Sequence, residues 1–173
     1  MTRQIVMTTI CNDRPGIVET LSRTVSENGG NWLDSHLSHY AGKFAGIIHV
    51  SVTAENCESL MEQLSVLAND GIQVTAELAD TKADPHQQHW SFTLFGNDRP
   101  GIIKEVSQAL AHYHINLEQL SSRCTTAAHT GIPLFEAEGM ISLPDTVDID
   151  ELEDQLATIS NQLTVDIQLE EAQ

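Results

Sequence analysis

The chain has 173 residues, with 8 Lys plus Arg against 25 Asp plus Glu and a formal net charge of -17. That balance repels phosphate backbones at long range and offers no basic footprint, so direct nucleic-acid binding is not expected. No apolar run approaches the roughly 20 residues of a bilayer span, and the N-terminus lacks the basic, apolar and small-residue zones of a secretory signal, so a cytoplasmic protein without a membrane partner is expected.

In chain order, Gln4–Ile10 is rich in β-branched residues around Ile5, Val6 and Met7, which predicts a strand. Asn12-Asp13-Arg14-Pro15-Gly16-Ile17 follows. Ile17, Leu21 and Val25 then recur at the period of an amphipathic helix, which Gly29-Gly30 ends. Two strands are expected next, Asn31–Tyr40 and Phe44–Thr53, joined through Ala41-Gly42-Lys43, with Ile48, Val50 and Val52 on one face. A second helix over Cys57–Ala68 and a strand over Ile72–Leu78 complete the half. The polar stretch Asp80–His86, which contains Pro85, reads as a join.

The second half repeats the first. Asn97-Asp98-Arg99-Pro100-Gly101-Ile102 stands 85 residues after the first copy, and the same offset aligns Leu21 with Val106, Val25 with Leu110 and Asn31 with Asn116. Leu60, Leu64 and Leu67 match Leu152, Leu156 and Ile159 at an offset of 92, so the second half carries a longer loop near Thr125–Pro133. Its expected strands are His89–Phe95, Asn116–Cys124, Leu134–Leu143 and Leu163–Leu169, and its expected helices carry Ile103, Val106 and Leu110 and then Ile149–Asn161.

The order is βαββαβ twice: an α+β chain of two tandem ferredoxin-like domains, each a four-stranded antiparallel sheet with both helices on one face. The boundaries read are residues 1–80, a linker at 81–87, and 88–173. A domain of about 80 residues buries only about 60–65 % of its unfolded surface, so each core is modest and pairing, including a homodimer, is expected.

The repeated motif falls between the first strand and first helix of each half. Pro15 and Pro100 pre-set a helical φ, and Gly16 and Gly101 let the backbone pass close to another group. A helix N-terminus exposes unpaired N–H groups that can receive a carboxylate. Asp13 or Asp98 can face an ammonium group, and Asn31 and Asn116 can add amide hydrogen bonds, which together suit an α-amino acid. The alternative is structural, with Asn12, Asp13 and their repeats as ordinary helix caps and Gly serving packing. Capping alone does not demand Arg beside Pro, yet all six residues recur.

Asp-Arg-Pro-Gly-Ile after a strand, followed by Gly-Asn-Trp-Leu-Asp-Ser or Ile-Asn-Leu-Glu-Gln-Leu, resembles the ACT domain over nearly the whole chain. Two modules without an attached enzyme, together with Thr130-Gly131-Ile132-Pro133-Leu134-Phe135 before the strand ending in Leu143-Pro144, are similar to tandem transcriptional repressors of glycine metabolism in that family. The resemblance implies an amino acid bound between paired domains by Asp13, Gly16 and Asn31 in one module and Asp98, Gly101 and Asn116 in the other. Asn12, Arg14, Ile17, Asn97, Arg99 and Ile102 complete the candidate ligand-binding set. It further implies glycine as ligand and contact with a DNA-binding transcriptional activator protein. Serine-binding members often carry His two residues before the acidic position, where this chain has Cys11 and Gly96.

Other signals are weaker. Cys11, Cys57 and Cys124 lie far apart and read as reduced thiols. His36 and His39 point to opposite faces of a strand, His112 and His114 diverge, and His86 and His89 flank the join, so no metal is expected. Asp148, Asp150, Glu151, Glu153 and Asp154 occupy the solvated side of a helix whose stripe is Ile149, Leu152, Leu156 and Ile159. Familiar catalytic signatures do not occur, and the expectation is a non-enzymatic protein without a cofactor. The alternative is a detached amino-acid-sensing regulatory subunit of a metabolic enzyme.

Overall fold

β-branched and aromatic runs become strands wherever one side of the run can be buried under helices. In the computed structural model this happens twice. Residues 1–79, 87–128, 130–144 and 147–171 are described, and the chain divides into two units, Met1–Lys82 and Ala83–Gln173. Residues 81–86 of the expected linker, with His86, lie outside the described residues.

The first unit runs β1 (Thr2–Asn12), α1 (Ile17–Glu27), β2 (Asn31–Tyr40), β3 (Lys43–Thr53), α2 (Cys57–Val66), a short 3-10 helix (Leu67–Asp70) and β4 (Gln73–Leu78). The second runs β5 (Gln87–Asn97), α3 (Ile102–His112), β6 (Asn116–Thr126), β7 (Pro133–Pro144), α4 (Ile149–Leu163) and β8 (Val165–Glu171). Each folds into a four-stranded sheet, in the orders β2-β3-β1-β4 and β6-β7-β5-β8. Every neighbouring pair is antiparallel. The α+β reading of two βαββαβ units therefore holds.

Both helices of a unit cover the same side of its sheet. In the first, Ile5, Met7, Ile48 and Val50 meet Ile17, Leu21 and Val25 of α1 and Leu60 and Leu64 of α2 in one buried cluster. In the second, Phe92, Leu94 and Ile141 meet Ile102, Val106 and Leu110 of α3 and Leu152, Leu156 and Ile159 of α4. Each such aliphatic side chain contributes roughly 1.5–3 kcal/mol on burial. The 3.6-residue stripes of the helices therefore supply half of each core, and the alternating strands supply the rest.

Three local differences from the sequence reading have physical causes. The first helix of each unit begins at Ile17 or Ile102, because Gly16 (φ 91°) and Gly101 (φ 101°) take a left-handed conformation that no right-handed helix can continue through. Pro15 and Pro100 therefore lie in the preceding turn, not in the first helical turn. The second helix of the first unit tightens to 3-10 geometry over Leu67–Asp70, and Leu163 belongs to α4, with left-handed Thr164 ending it. A register shift at Trp32/Asp34 recurs at Leu117/Gln119, so the repeat extends to an irregularity in the edge strand. Among the described residues no helix is long and apolar enough to cross a membrane.

Candidate functional site

The motif of the first unit leaves the end of β1 and enters α1 through Gly16. The Thr20 N–H donates to Gly16 O at 2.9 Å, and no side chain caps the helix. Asn12 and Asp13 are thus not caps, and the structural alternative for them is corrected: left-handed Gly16 holds the N-cap position, while Asn12 Oδ1 accepts from Lys43 and the Asp13 carboxylate faces His39. Asp148 shows the contrast, since its carboxylate accepts the Asp150 N–H at 3.0 Å and caps α4 in the ordinary way. The first-turn N–H groups of α1 and α3 have no intrahelical acceptor and carry the positive end of the helix dipole. A Cβ built on Gly16 or Gly101 would meet nothing within 4 Å, so the space beside each cap is open.

The β2–β3 hairpin closes against this turn. The Asp13 N–H donates to Gly42 O at 2.9 Å, and its carboxylate lies 3.6 Å from His39 Nδ1. Gly42 N–H donates to His39 Nε2 at 3.0 Å, which in a neutral ring leaves the proton on Nδ1, facing Asp13. Lys43 Nζ donates to Asn12 Oδ1 at 2.6 Å. Arg14 turns away and donates to Asp70 O at 2.8 Å, tying the motif to the end of the 3-10 helix.

The second unit keeps the backbone pattern and changes the side chains. The Asp98 N–H donates to Pro133 O at 2.9 Å, and Arg99 donates to Gln162 O at 2.6 Å near the end of α4. Cys124, paired with Phe135 across the β6–β7 hairpin, lies close enough to Asp98 to feel its charge. Loss of hydration and then the charge of Asp98 raise the Cys124 thiol above its ordinary range. Asn97 pairs across the sheet with Leu134, where Asn12 pairs with Lys43.

Cys11 faces the core, 6 % exposed, with Sγ 3.8 Å from Phe44 O. Burial pushes its thiol up, against a smaller opposing effect of the Arg14 charge. Ile17 and Ile102 are buried at 3 % and 2 % exposure, so only their backbone amides are available to a ligand.

Asn31 and Asn116 do not join this cluster. Asn31 opens β2 opposite Ser51, which is level with Gln4 on β1, whereas Asn12 stands eight residues further along β1. At about 3.3 Å per residue the two ends are separated by roughly 26 Å. Asn116 lies likewise level with Ser142 and His89, at the end of β5 opposite Asn97. One unit therefore gathers Asn12, Asp13, Arg14 and Gly16 but not its own Asn31.

The sequence reading gave His39, Lys43 and Cys124 no place in the ligand-binding set. Their signal was the hairpin spacing: a strand pair that starts at Asn12 must return beside it. His36 and His39 sit across from Ile47 and Phe44, on opposite faces of the sheet. Among the described residues no group of three or more His, Cys, Asp or Glu could hold a metal ion.

Family models described as the ACT domain match residues 3–77 and 91–161. The glycine cleavage system transcriptional repressor of Escherichia coli (strain K12) is 25 % identical over 163 residues, covering 92 % of this chain and 85 % of that protein. The protein of the same name from Shigella flexneri matches with the same figures. Among solved structures, an unknown protein from Galdieria sulphuraria is similar with a TM-score of 0.89 at 26 % identity, over 100 % of both chains. A second, provisionally named a glycine cleavage system transcriptional repressor, is similar with a TM-score of 0.71 at 19 % identity, over 100 % of this chain and 99 % of that one.

Proposed function

The chain belongs to the ACT-domain family, as two such domains in tandem, and from that premise we propose that it is a non-catalytic, amino-acid-responsive repressor of the glycine cleavage system. It acts by contact with a DNA-binding transcriptional activator protein, and its ligand is a small amino acid, glycine. The observation that carries the reading is the twice-repeated Asp-Arg-Pro-Gly turn, which leads a carboxylate to an uncapped helix entrance with open space beside it. A zwitterion matches both charges, its carboxylate on the helix amides and its ammonium on Asp13. The similar protein of Escherichia coli is a repressor by name. A net charge of -17 suits contact with a protein and opposes contact with DNA.

The roughly 26 Å between Asn12 and Asn31 gives the site a further requirement. Asn31 reaches a ligand at Asp13 only when it comes from a second copy of the chain, laid antiparallel alongside. Ligand binding then alters the pairing of copies, and pairing alters the surface offered to the activator. Such coupling needs the ligand to bind the two arrangements with different affinity.

Isothermal calorimetry of the full chain with glycine and a panel of other amino acids tests the sensing half; no heat from any of them at millimolar concentration removes it. Affinity capture from cell extract tests the other half. Recovery of a DNA-binding activator, released or retained according to glycine, supports the repressor reading. Recovery of a biosynthetic enzyme in its place replaces it with the detached regulatory subunit.

A further inference from the structure

The side of the first sheet turned away from α1 and α2 carries a surface that the second sheet lacks. Along β1 that side presents Val6, Thr8 and Ile10, because Ile5, Met7 and Thr9 point into the core. Across from them on β3 stand His49, Ile47 and Ala45. Neither of these central strands has a carboxylate there, and Ile10 and Ile47 are 49 % and 45 % exposed. The open side of an antiparallel sheet ordinarily alternates to polar residues facing water. The second sheet keeps that rule: Phe95 and Thr93 pair with Glu136 and Glu138, where Ile10 and Thr8 pair with Ala45 and Ile47. At equivalent places of a duplicated fold, one unit has two carboxylates and the other a methyl and a sec-butyl group.

A chain of net charge -17 repels its own copies over most of its surface, so copies meet most readily where carboxylates are missing. The register also makes this face complementary to itself. Across the strands, Val6 is level with Glu77 and Asp34, Thr8 with Ile47, and Ile10 with Gln73 and Ser38. A two-fold axis running across the strands along the row of Thr8 and Ile47 lays Val6 on Ile10 of a second copy and Ile47 on its own equivalent. The same operation sets Asp34 on Ser38 and Glu77 on Gln73, so no carboxylate meets another. An occupant built like the open side of the second sheet would have to bury two carboxylates against isoleucine. The four strands are 6 to 11 residues long and, at about 4.8 Å apart and 3.3 Å per residue, present roughly 600 Å² per copy. Twice that, about 1,200 Å², reaches the lower bound of stable interfaces.

We propose that the open face of the first sheet seats a second copy of this chain, packed face to face about a two-fold axis through the row of Thr8 and Ile47. The contact uses the face of the sheet, whereas the copy that brings Asn31 lies along its edge. The two associations therefore coexist and join four chains. The face contact needs no amino-acid ligand, so it goes beyond the sensor reading and stands independently of it.

Native mass spectrometry and light scattering of the full chain, between about 1 and 100 µM, test this. The wild type is expected as an even-numbered assembly. Ile47→Glu and Ile47→Lys, each repelling itself across the axis, should each halve the mass and weaken association at least about a hundredfold. Mixed in equal amounts, the two variants should return to the wild-type mass, since opposite charges then face each other. The second unit folds with Glu138 at the equivalent place, and circular dichroism melts verify that both variants remain folded. A wild type that stays a single chain, an Ile47→Glu chain that keeps the full mass, or mixing without recovery overturns the inference. A single chain whose Ile47 variants lose capture of the activator assigns the face to that partner, which overturns it as well. None of these outcomes alters the calorimetry with glycine, so the sensor reading is judged separately.

Discussion

Arg14 donates to the carbonyl oxygen of Asp70 at 2.8 Å, across 56 residues of sequence, and so fastens the entrance of α1 to the exit of the following helix. Arg99 repeats the bond to Gln162 O across 63 residues. Carbonyls at a helix end lack intrahelical partners, and a guanidinium satisfies them with a charge-assisted bond that also complements the dipole. The arginine of the motif thus shapes the site by holding its frame.

Arg14→Ala is therefore expected to cost the first unit about 0.5–1 kcal/mol of stability, the bond being exposed, and Arg99→Ala about 1–2 kcal/mol in the second, where the guanidinium is partly buried. Each unit carries one tryptophan, Trp32 or Trp90, so urea unfolding followed by fluorescence in single-tryptophan variants reads each unit separately. Unchanged midpoints in both variants would remove the framing role.

Gly16 and Gly101 are held at φ 91° and 101° with open space where a Cβ would stand. Alanine at either position meets no clash, so its whole cost is backbone strain, about 1–2 kcal/mol. A lower urea midpoint for Gly16→Ala, with the Trp90 transition unmoved, is the expected outcome. A neutral effect would mean that the turn adopts another conformation.

The Cys124 thiol, raised by lost hydration and by Asp98, is less ionised at a given pH than a free cysteine, so this exposed residue should alkylate slowly. Asp98→Asn removes one raising influence, lowers the thiol's pKa and should speed reaction with iodoacetamide at pH 8 severalfold. Mass-spectrometric timing of the Cys124 adduct checks it. An unchanged rate would show that the Asp98 charge does not reach the thiol.

Asp13→Ala and Asn31→Ala should each abolish tight glycine binding in the proposed homodimer. Mixed in equal amounts and allowed to exchange, the two variants form hybrids in half the dimers. Each hybrid retains one intact pairing of Asp13 with Asn31, so about a quarter of the sites should return. No recovery after exchange, with hybrids verified by native mass spectrometry, would place the partner asparagine elsewhere.

Much of this architecture was legible before any coordinates. The offset of 85 residues announced two units, and the stripes of Leu21 and Val25 or Val106 and Leu110 located the helices and their buried faces. Helix starts were less legible. Proline at the first helical position and proline two residues before it look alike in sequence, and the left-handed φ of Gly16 separated them. The site itself was half visible, because Asp13 and Gly16 are neighbours in sequence whereas His39 and Cys124 arrive from a hairpin.

From the sequence by itself came the duplication, the order of elements, the apolar faces and the repeated turn, because periodicity and turn chemistry are properties of short stretches of chain. Only the tertiary structure decided which side chains meet the motif carboxylates and that Asn31 stands at the far end of its own sheet. The physical reason is strand register. A helix that runs back along the sheet returns the chain to where β1 began, and hairpin pairing more than twenty residues later selects histidine for one carboxylate and cysteine for the other.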